Sequence, residues 1–265
     1  PDAGLLPNRL GQHSADASGL RLIKLQPKDA VVPLEKHTRA KGVFVALGGL
    51  HVTVLPEEAA AHADSVVIGE GEAVWPRVVE DFGRGRLQPA YRAPAPFELA
   101  ASPVPRYELL DLDAYNRLTV QPSRGCPHRC EFCASSILLT PGYRVKPIER
   151  VLAEIRYIKS LWRRPFIEFA DDNSFVLRRH YKALLRALRP ERIRWFTETD
   201  ISVAEDAELL ALMRDSGCQQ VLIGLESPGP RGLDGLERRR NWKLTQLPSY
   251  EAAIARIQAH GITVN

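Results

Sequence analysis

The sequence predicts an α/β chain in two parallel-sheet pieces, an incomplete doubly wound sheet followed by an incomplete parallel (β/α) barrel. Three observations lead there. Short continuous apolar runs stop abruptly at glycines or at acidic residues, as buried parallel strands do. Stretches with helical spacing alternate with those runs, and in the second half the strand–helix unit recurs about every 30 residues. A proline-rich stretch without periodicity separates the two pieces.

The balance of the chain is globular. It has 265 residues, 45% hydrophobic and 26% charged, which excludes a disordered or fibrous protein. No apolar run reaches the ~18 to 20 residues of a membrane helix, and no basic-then-apolar leader opens the chain. The expectation is a soluble, cytoplasmic protein with no transmembrane segment. Thirty-six Lys and Arg against 32 Asp and Glu give a net charge of +4. The charges are interspersed apart from Arg163-Arg164 and Arg238-Arg239-Arg240, which argues against nucleic acid as a partner.

Residues 1–40 lack sustained periodicity, and Glu35 to Lys41 suits a helix end closed by Gly42. Val43 to Leu47 reads as a buried strand stopped by Gly48-Gly49, and Pro56 to His62 as a short helix. Ser65 to Ile68 is a second strand, ended by Gly69-Glu70-Gly71-Glu72, and Ala73 to Phe82 follows as an amphipathic helix. From Gly83 the composition shifts: Pro89, Pro94, Pro96, Pro103 and Pro105 mark an extended linker, so we place domain boundaries at 1–85, 86–116 and 117–265.

Past the linker, Leu118 to Gln121 is a strand entering a cysteine loop. Ile148 to Trp162 is a helix with Val151, Ile155 and Ile158 on one face. Pro165 to Ala170 is a strand ending in Asp171-Asp172-Asn173, and Arg179 to Leu188 a helix. Ile193 to Thr197 is a strand ending in Glu198-Thr199-Asp200, and Ala204 to Ser216 a helix closed by Gly217. Gln220 to Ile223 ends in Gly224-Leu225-Glu226-Ser227. A looser glycine-containing segment precedes a helix from Ser249 to His260, and Ile262 to Asn265 opens a fifth strand. Stopping there, in mid-strand, reads as a fragment. Polar residues gather past the strand C-terminal ends, where barrel active sites lie.

Three of the four cysteines fall in Cys126-x3-Cys130-x2-Cys133, which reads as a metal site rather than a disulfide framework. Zinc sites want four ligands, and here the fourth would be His128 or the distant Cys218. An iron–sulfur cluster is also held by thiolates from such a loop, and with three of them one iron keeps an open position. The plainer alternatives are a zinc clip or three unrelated buried thiols. Cys218, before an apolar run, reads as a small buried residue.

The run Gln121-Pro122-Ser123-Arg124-Gly125-Cys126-Pro127-His128-Arg129-Cys130-Glu131-Phe132-Cys133 resembles the signature loop of the radical S-adenosylmethionine (SAM) superfamily. The resemblance implies that Cys126, Cys130 and Cys133 bind a [4Fe–4S] cluster, with SAM on the open iron and Phe132 beside it. One-electron reduction would then cleave SAM to a 5′-deoxyadenosyl radical. It also implies that Asp171 and Asp172 receive the SAM ammonium and that Glu198 and Glu226 contact its methionyl and ribose portions. A helix N-cap at Asn173 or Ser174 is the structural alternative there. The family further implies a reductase or flavodoxin-type electron donor.

Gly48-Gly49-Leu50-His51-Val52-Thr53 with Val67-Ile68-Gly69-Glu70-Gly71-Glu72 is similar to the later half of the Rossmann-like cobalamin-binding domain that precedes many radical SAM barrels. On that likeness Gly48, Gly49, Gly69, Glu70 and Gly71 contact cobalamin, since glycines past parallel strands admit a bulky ligand. The Asp-x-His-x-x-Gly motif is absent, so His51 and His62 read as surface or turn residues. The implied fold is a partial cobalamin-binding domain followed by a truncated radical SAM (β/α)6 barrel. The implied activity is cobalamin-dependent methylation of an unactivated centre in a small-molecule, lipid or tetrapyrrole substrate. Ring formation or rearrangement would use the same parts, and a zinc or iron–sulfur module contacting RNA or protein is the reading from a different class.

Overall fold

The computed structural model describes residues 20–24, 41–134 and 142–265. The helix end expected at Glu35 to Lys41 lies almost wholly outside them. The chain divides into two compact units, Pro1–Ala93 and Pro94–Asn265.

In the first unit four strands run parallel and in chain order: β1 (Leu20–Lys24), β2 (Phe44–Gly48), β3 (Ser65–Ile68) and β4 (Ala90–Arg92). Helices α1 (Leu50–Val54) and α2 (Pro56–Ala60) join β2 to β3, and α3 (Trp75–Gly83) joins β3 to β4. Successive side chains of β3 point to opposite faces. Val66 and Ile68 pack with Val45, Leu47, Val52 and Ala59, while Val67 packs with Val74, Val78 and Tyr91. Covering on both faces is the reason the strand is apolar without a break.

Strand β4 falls inside the stretch expected to be linker. It pairs with β3 from Val66–Ala90 to Ile68–Arg92, so the linker does not begin at residue 86. The buried ring of Tyr91 holds it there, its hydroxyl donating to Asp81 Oδ2 at 3.0 Å and accepting the Gln88 N–H at 3.0 Å. One buried tyrosine among prolines leaves no periodic pattern to read. Residues 94–116 are irregular but packed: Leu99 and Tyr107 are buried, and the Tyr107 hydroxyl donates to the Thr119 carbonyl at 2.8 Å.

The second unit has a parallel five-stranded sheet in the order β11 (Thr263–Val264), β10 (Cys218–Ile223), β9 (Arg194–Thr199), β8 (Phe166–Phe169) and β5 (Leu118–Val120). A short antiparallel ribbon of β6 (Ser123–Arg124) and β7 (Arg144–Val145) stands apart from it. Helices α4 (Ile148–Leu161), α5 (Arg178–Leu188), α6 (Ala207–Asp215) and α8 (Tyr250–Ala259) make the crossovers, and a short α7 (Trp242–Gln246) precedes α8. Alternate strand residues Val120, Ile167, Phe169, Trp195 and Val221 join Ile155, Ile158, Tyr181 and Leu184 in one core. The intervening Thr119, Glu198 and Leu222 are exposed, so the opposite sheet face is open and carries charge. Cys218 is buried in this core at the start of β10, where sequence reading placed it.

Behind the ribbon, Lys146 Nζ meets Glu154 Oε1 at 2.7 Å, with both side chains almost fully buried. Glu154→Ala is therefore expected to cost about 3 to 5 kcal/mol, because it strands the ammonium in the core. Urea unfolding measures this, and the double variant Lys146→Met/Glu154→Leu should recover most of the loss. A single variant as stable as wild type would show that water replaces the partner.

Candidate functional site

The site is built where the strands of the second unit end. After β5 the chain enters β6, and its pairing with β7 brings the two arms of the cysteine loop together. Gly125 makes that approach possible: it sits at φ +100°, and a Cβ there would lie 2.3 Å from the Gly142 carbonyl oxygen. Irregular backbone N–H groups need acceptors, and several of this loop's find them on other elements. The Ser123 N–H donates to Asp171 Oδ1 at 2.7 Å and the Gly125 N–H to Asp172 Oδ2 at 2.6 Å. From the other side, Glu237 accepts the Arg129 N–H at 3.1 Å. Glu237 is 3% exposed and also accepts the N–H groups of Arg239 and Arg240. Backbone bonds from Glu131 N to Leu236 O (2.8 Å) and from Arg238 N to Arg129 O (2.9 Å) complete a bridge between Cys130 and Glu237.

The three cysteines sit on this framework, near enough that the thiols influence one another electrostatically. Cys130 is buried, and Cys126 and Cys133 are half-buried. Burial pushes the Cys130 thiol up to about 11 while the Lys243 cation pulls it back, and the other two thiols push it further up. Burial also raises Cys126, against hydrogen bonds from the His128 N–H and the Asn173 amide. Both side chains considered as a fourth ligand are engaged elsewhere. His128 Nε2 lies 3.2 Å from Asp200 Oδ2, and its ring stacks on Trp242 with centroids 4.4 Å apart. The Cys218 thiol lies in the β10 core beside the Gln220 carbonyl, 3.5 Å away. Among the described residues no three His, Cys, Asp or Glu side chains stand in metal-holding geometry. It is the donor chemistry, three thiols on one loop with these two donors withdrawn, that fits a cluster held by three cysteines with one open iron.

The other expected site residues fare differently. Asp171 is 3% exposed, and its carboxylate is taken up by Ser123, by Ser174 (2.8 Å) and by the Tyr181 hydroxyl. Both of its oxygens face the protein interior and none is left for a ligand ammonium. Asp172, on the more exposed side of the turn, keeps one oxygen on Gly125. Glu198 lies within β9 rather than beyond it, on the open sheet face. Burial raises its carboxyl, and the charges of Glu168 and Asp172 raise it further. Glu226 stands past β10 at φ 68° and pairs with Lys243 Nζ at 2.7 Å. Phe132 is 57% exposed beside Cys133. The helix-cap alternative for Asn173 and Ser174 does not apply, because α5 begins at Arg178 after Leu177.

In the first unit, Gly49 (φ +110°) and Gly69 (φ +87°) end adjacent strands in backbone that requires glycine, whereas Gly48 and Gly71 have ordinary φ. Thr53 ties the two turns together: its hydroxyl donates to the Gly49 carbonyl and accepts the Gly69 N–H, each at 2.9 Å. Glu70 leads directly into the turn that follows. His51 faces Glu58 at 3.6 Å on the surface.

Sequence reading named His128 only as a possible fourth zinc ligand and gave Asp200, Trp242, Lys243 and Glu237 no role at the cysteine loop. Asp200 carried a signal, since it follows β9 as Asp171 to Asn173 follow β8. Burial would raise its carboxyl, but hydrogen bonds from His128, Ser202 and Asn173 hold it well below the carboxylate range. Glu237, beside three arginines, looks like any surface charge in one dimension.

Burial pushes the Asp171 carboxyl up to about 6 from an ordinary 3.8, against its hydrogen bonds from Tyr181, Ser123 and Ser174. The folded chain thus holds this proton more tightly than the unfolded chain. Its stabilising contribution is full below about pH 4 and is lost as pH rises to about 6, by roughly 3 kcal/mol. Denaturant unfolding across that window should show the fall in wild type, and Asp171→Asn should remove it. Identical pH profiles for the two proteins would overturn the assignment.

Residues 120–265, more than half of the chain, match the radical SAM superfamily. The chain is 34% identical over 235 residues to an uncharacterized methyltransferase, sll1242, of Synechocystis sp., covering 86% of this chain and 44% of that protein. It is 29% identical to the bacteriochlorophyllide d C-12(1)-methyltransferase of Chlorobaculum tepidum, over 85% of this chain and 50% of that one. Among solved structures it resembles the cobalamin-dependent S-adenosylmethionine radical enzyme OxsB, with a TM-score of 0.74 at 18% identity over 92% of this chain and 40% of that one. The chain thus spans about half the length of the curated relatives it matches. Among its described residues no helix is long and apolar enough to cross a membrane. With three thiols on a clamped loop at the ends of parallel strands, and with this match beneath them, the chain belongs to the radical SAM superfamily.

Proposed function

We propose that this chain carries the radical-generating part of a cobalamin-dependent methyltransferase acting on a small-molecule, tetrapyrrole or lipid substrate. The observation that carries the reading is the set of three thiols on one loop with His128 and Cys218 drawn away from them. Cys126, Cys130 and Cys133 would hold a [4Fe–4S] cluster, with SAM on the open iron. When bound, the cluster supplies the electron that cleaves SAM and yields the hydrogen-abstracting radical.

The side chains around the loop bind and orient. Phe132 offers an exposed ring beside the last ligand. Asp172, Glu198 and Glu226 are the proposed SAM-contacting carboxylates, while Asp171 fixes the loop backbone from inside. The Lys243 ammonium, 11% exposed, offsets negative charge beside Cys130. In the first unit, Gly48, Gly49, Gly69, Glu70 and Gly71 at the ends of β2 and β3 are the proposed cobalamin contacts. The relatives named as methyltransferases support methyl transfer, and a flavodoxin-type reductase is the proposed electron source.

Anaerobic reconstitution with iron and sulfide tests this. The expected product is a [4Fe–4S] protein whose spectrum changes on adding SAM and which releases 5′-deoxyadenosine after dithionite reduction. S-adenosylhomocysteine formed alongside, once cobalamin is added, supports methyl transfer; 5′-deoxyadenosine alone points to a non-methylating radical enzyme. Cys130→Ser should lose the cluster absorbance. A colourless protein holding one zinc would overturn the proposal.

A further inference from the structure

The Asn173 side chain is fixed at three points. Its Nδ2 donates to Asp200 Oδ2 at 2.9 Å and lies 3.6 Å from Cys126 Sγ, and its Oδ1 accepts the Asp200 N–H at 3.2 Å. Asp200 is itself held by the Ser202 N–H at 2.9 Å and by His128, whose ring rests on Trp242. A chain of contacts therefore runs from Trp242 through His128 and Asp200 to Asn173 and ends on a thiol. Asn173 is 4% exposed, so water has little access to replace it. Nor is the side chain used to cap α5, which starts five residues later at Arg178.

We propose that Asn173 is a positioning residue that donates an N–H···S hydrogen bond to Cys126 and thereby raises the reduction potential of the cluster, with Asp200 and His128 holding its amide in place. This rests on Cys126 being a cluster ligand. Reduction adds one negative charge, part of which falls on the ligand sulfurs. A donor aimed at sulfur stabilises the reduced state more than the oxidised one. A hydrogen bond from a buried amide to a charged acceptor is strong enough to move a one-electron equilibrium about tenfold, or about 59 mV.

The experiment is a redox titration, followed by electron paramagnetic resonance (EPR), of the SAM-free reconstituted protein. Asn173→Ala is expected to keep wild-type iron and sulfide content, while its cluster becomes about tenfold harder to reduce. An unchanged potential in a fully loaded variant overturns the proposal. Wild-type protein labelled with 15N in its asparagine side-chain amides needs no substitution. Pulsed EPR of the reduced cluster should show a 15N coupling that unlabelled protein lacks, and its absence overturns the proposal even where Asn173→Ala fails to load. Wild type that takes up no cluster overturns both this inference and the function it rests on.

Discussion

The cysteine loop is held by carboxylates that accept its backbone N–H groups, and the site depends on that arrangement. Ser123 and Gly125 donate to Asp171 and Asp172 at the end of β8, and Arg129 donates to Glu237 beyond β10. Irregular backbone leaves donors without partners, and charged acceptors satisfy them with stronger bonds than neutral ones. Asp171 and Asp172 follow directly on β8 and Glu237 lies in the segment after β10, so the loop is positioned by elements attached to the sheet. Where β5, β8 and β10 stand decides where the three thiols stand.

The same arrangement separates residues of one type into different tasks. Asp171 and Asp172 are neighbours in sequence and both bind loop backbone, yet one is sealed in the interior while the other borders solvent. Burial favours the neutral form of Asp171, and full use of its oxygens by Ser123, Ser174 and Tyr181 makes it part of the scaffold. Asp200 is also enclosed but stays charged, because a histidine, a serine and an asparagine donate to it. Depth and local donors together set the charge of each group.

The first unit uses a lighter version of this logic. Two glycine turns at the ends of β2 and β3 are joined by one hydroxyl, that of Thr53. Asp64 links the other ends of the same strands, accepting the Val45 N–H at 2.8 Å while its own N–H donates to the Val45 carbonyl at 2.8 Å. Both bridges come from short polar side chains beside apolar runs, and nothing in the spacing of Thr53 or Asp64 announces them. The runs themselves were readable, and Ser65 to Ile68 lies where the apolar pattern put it. Strand β4 was not, because its pairing partner β3 and the Asp81 that binds Tyr91 are distant in sequence.

By itself the sequence determined the α/β alternation and the three-cysteine loop. Both are local patterns: an apolar run long enough to bury, a helical spacing, and thiols a few residues apart. Asp171 as scaffold, His128 withdrawn from the ligand set, Glu237 as a clamp and Asn173 on Cys126 were decided only by the tertiary structure. Each joins residues between 47 and 108 positions apart. A hydrogen bond requires its partners within about 3 Å for an oxygen acceptor and a little more for sulfur, and only the folded chain brings such distant residues that close.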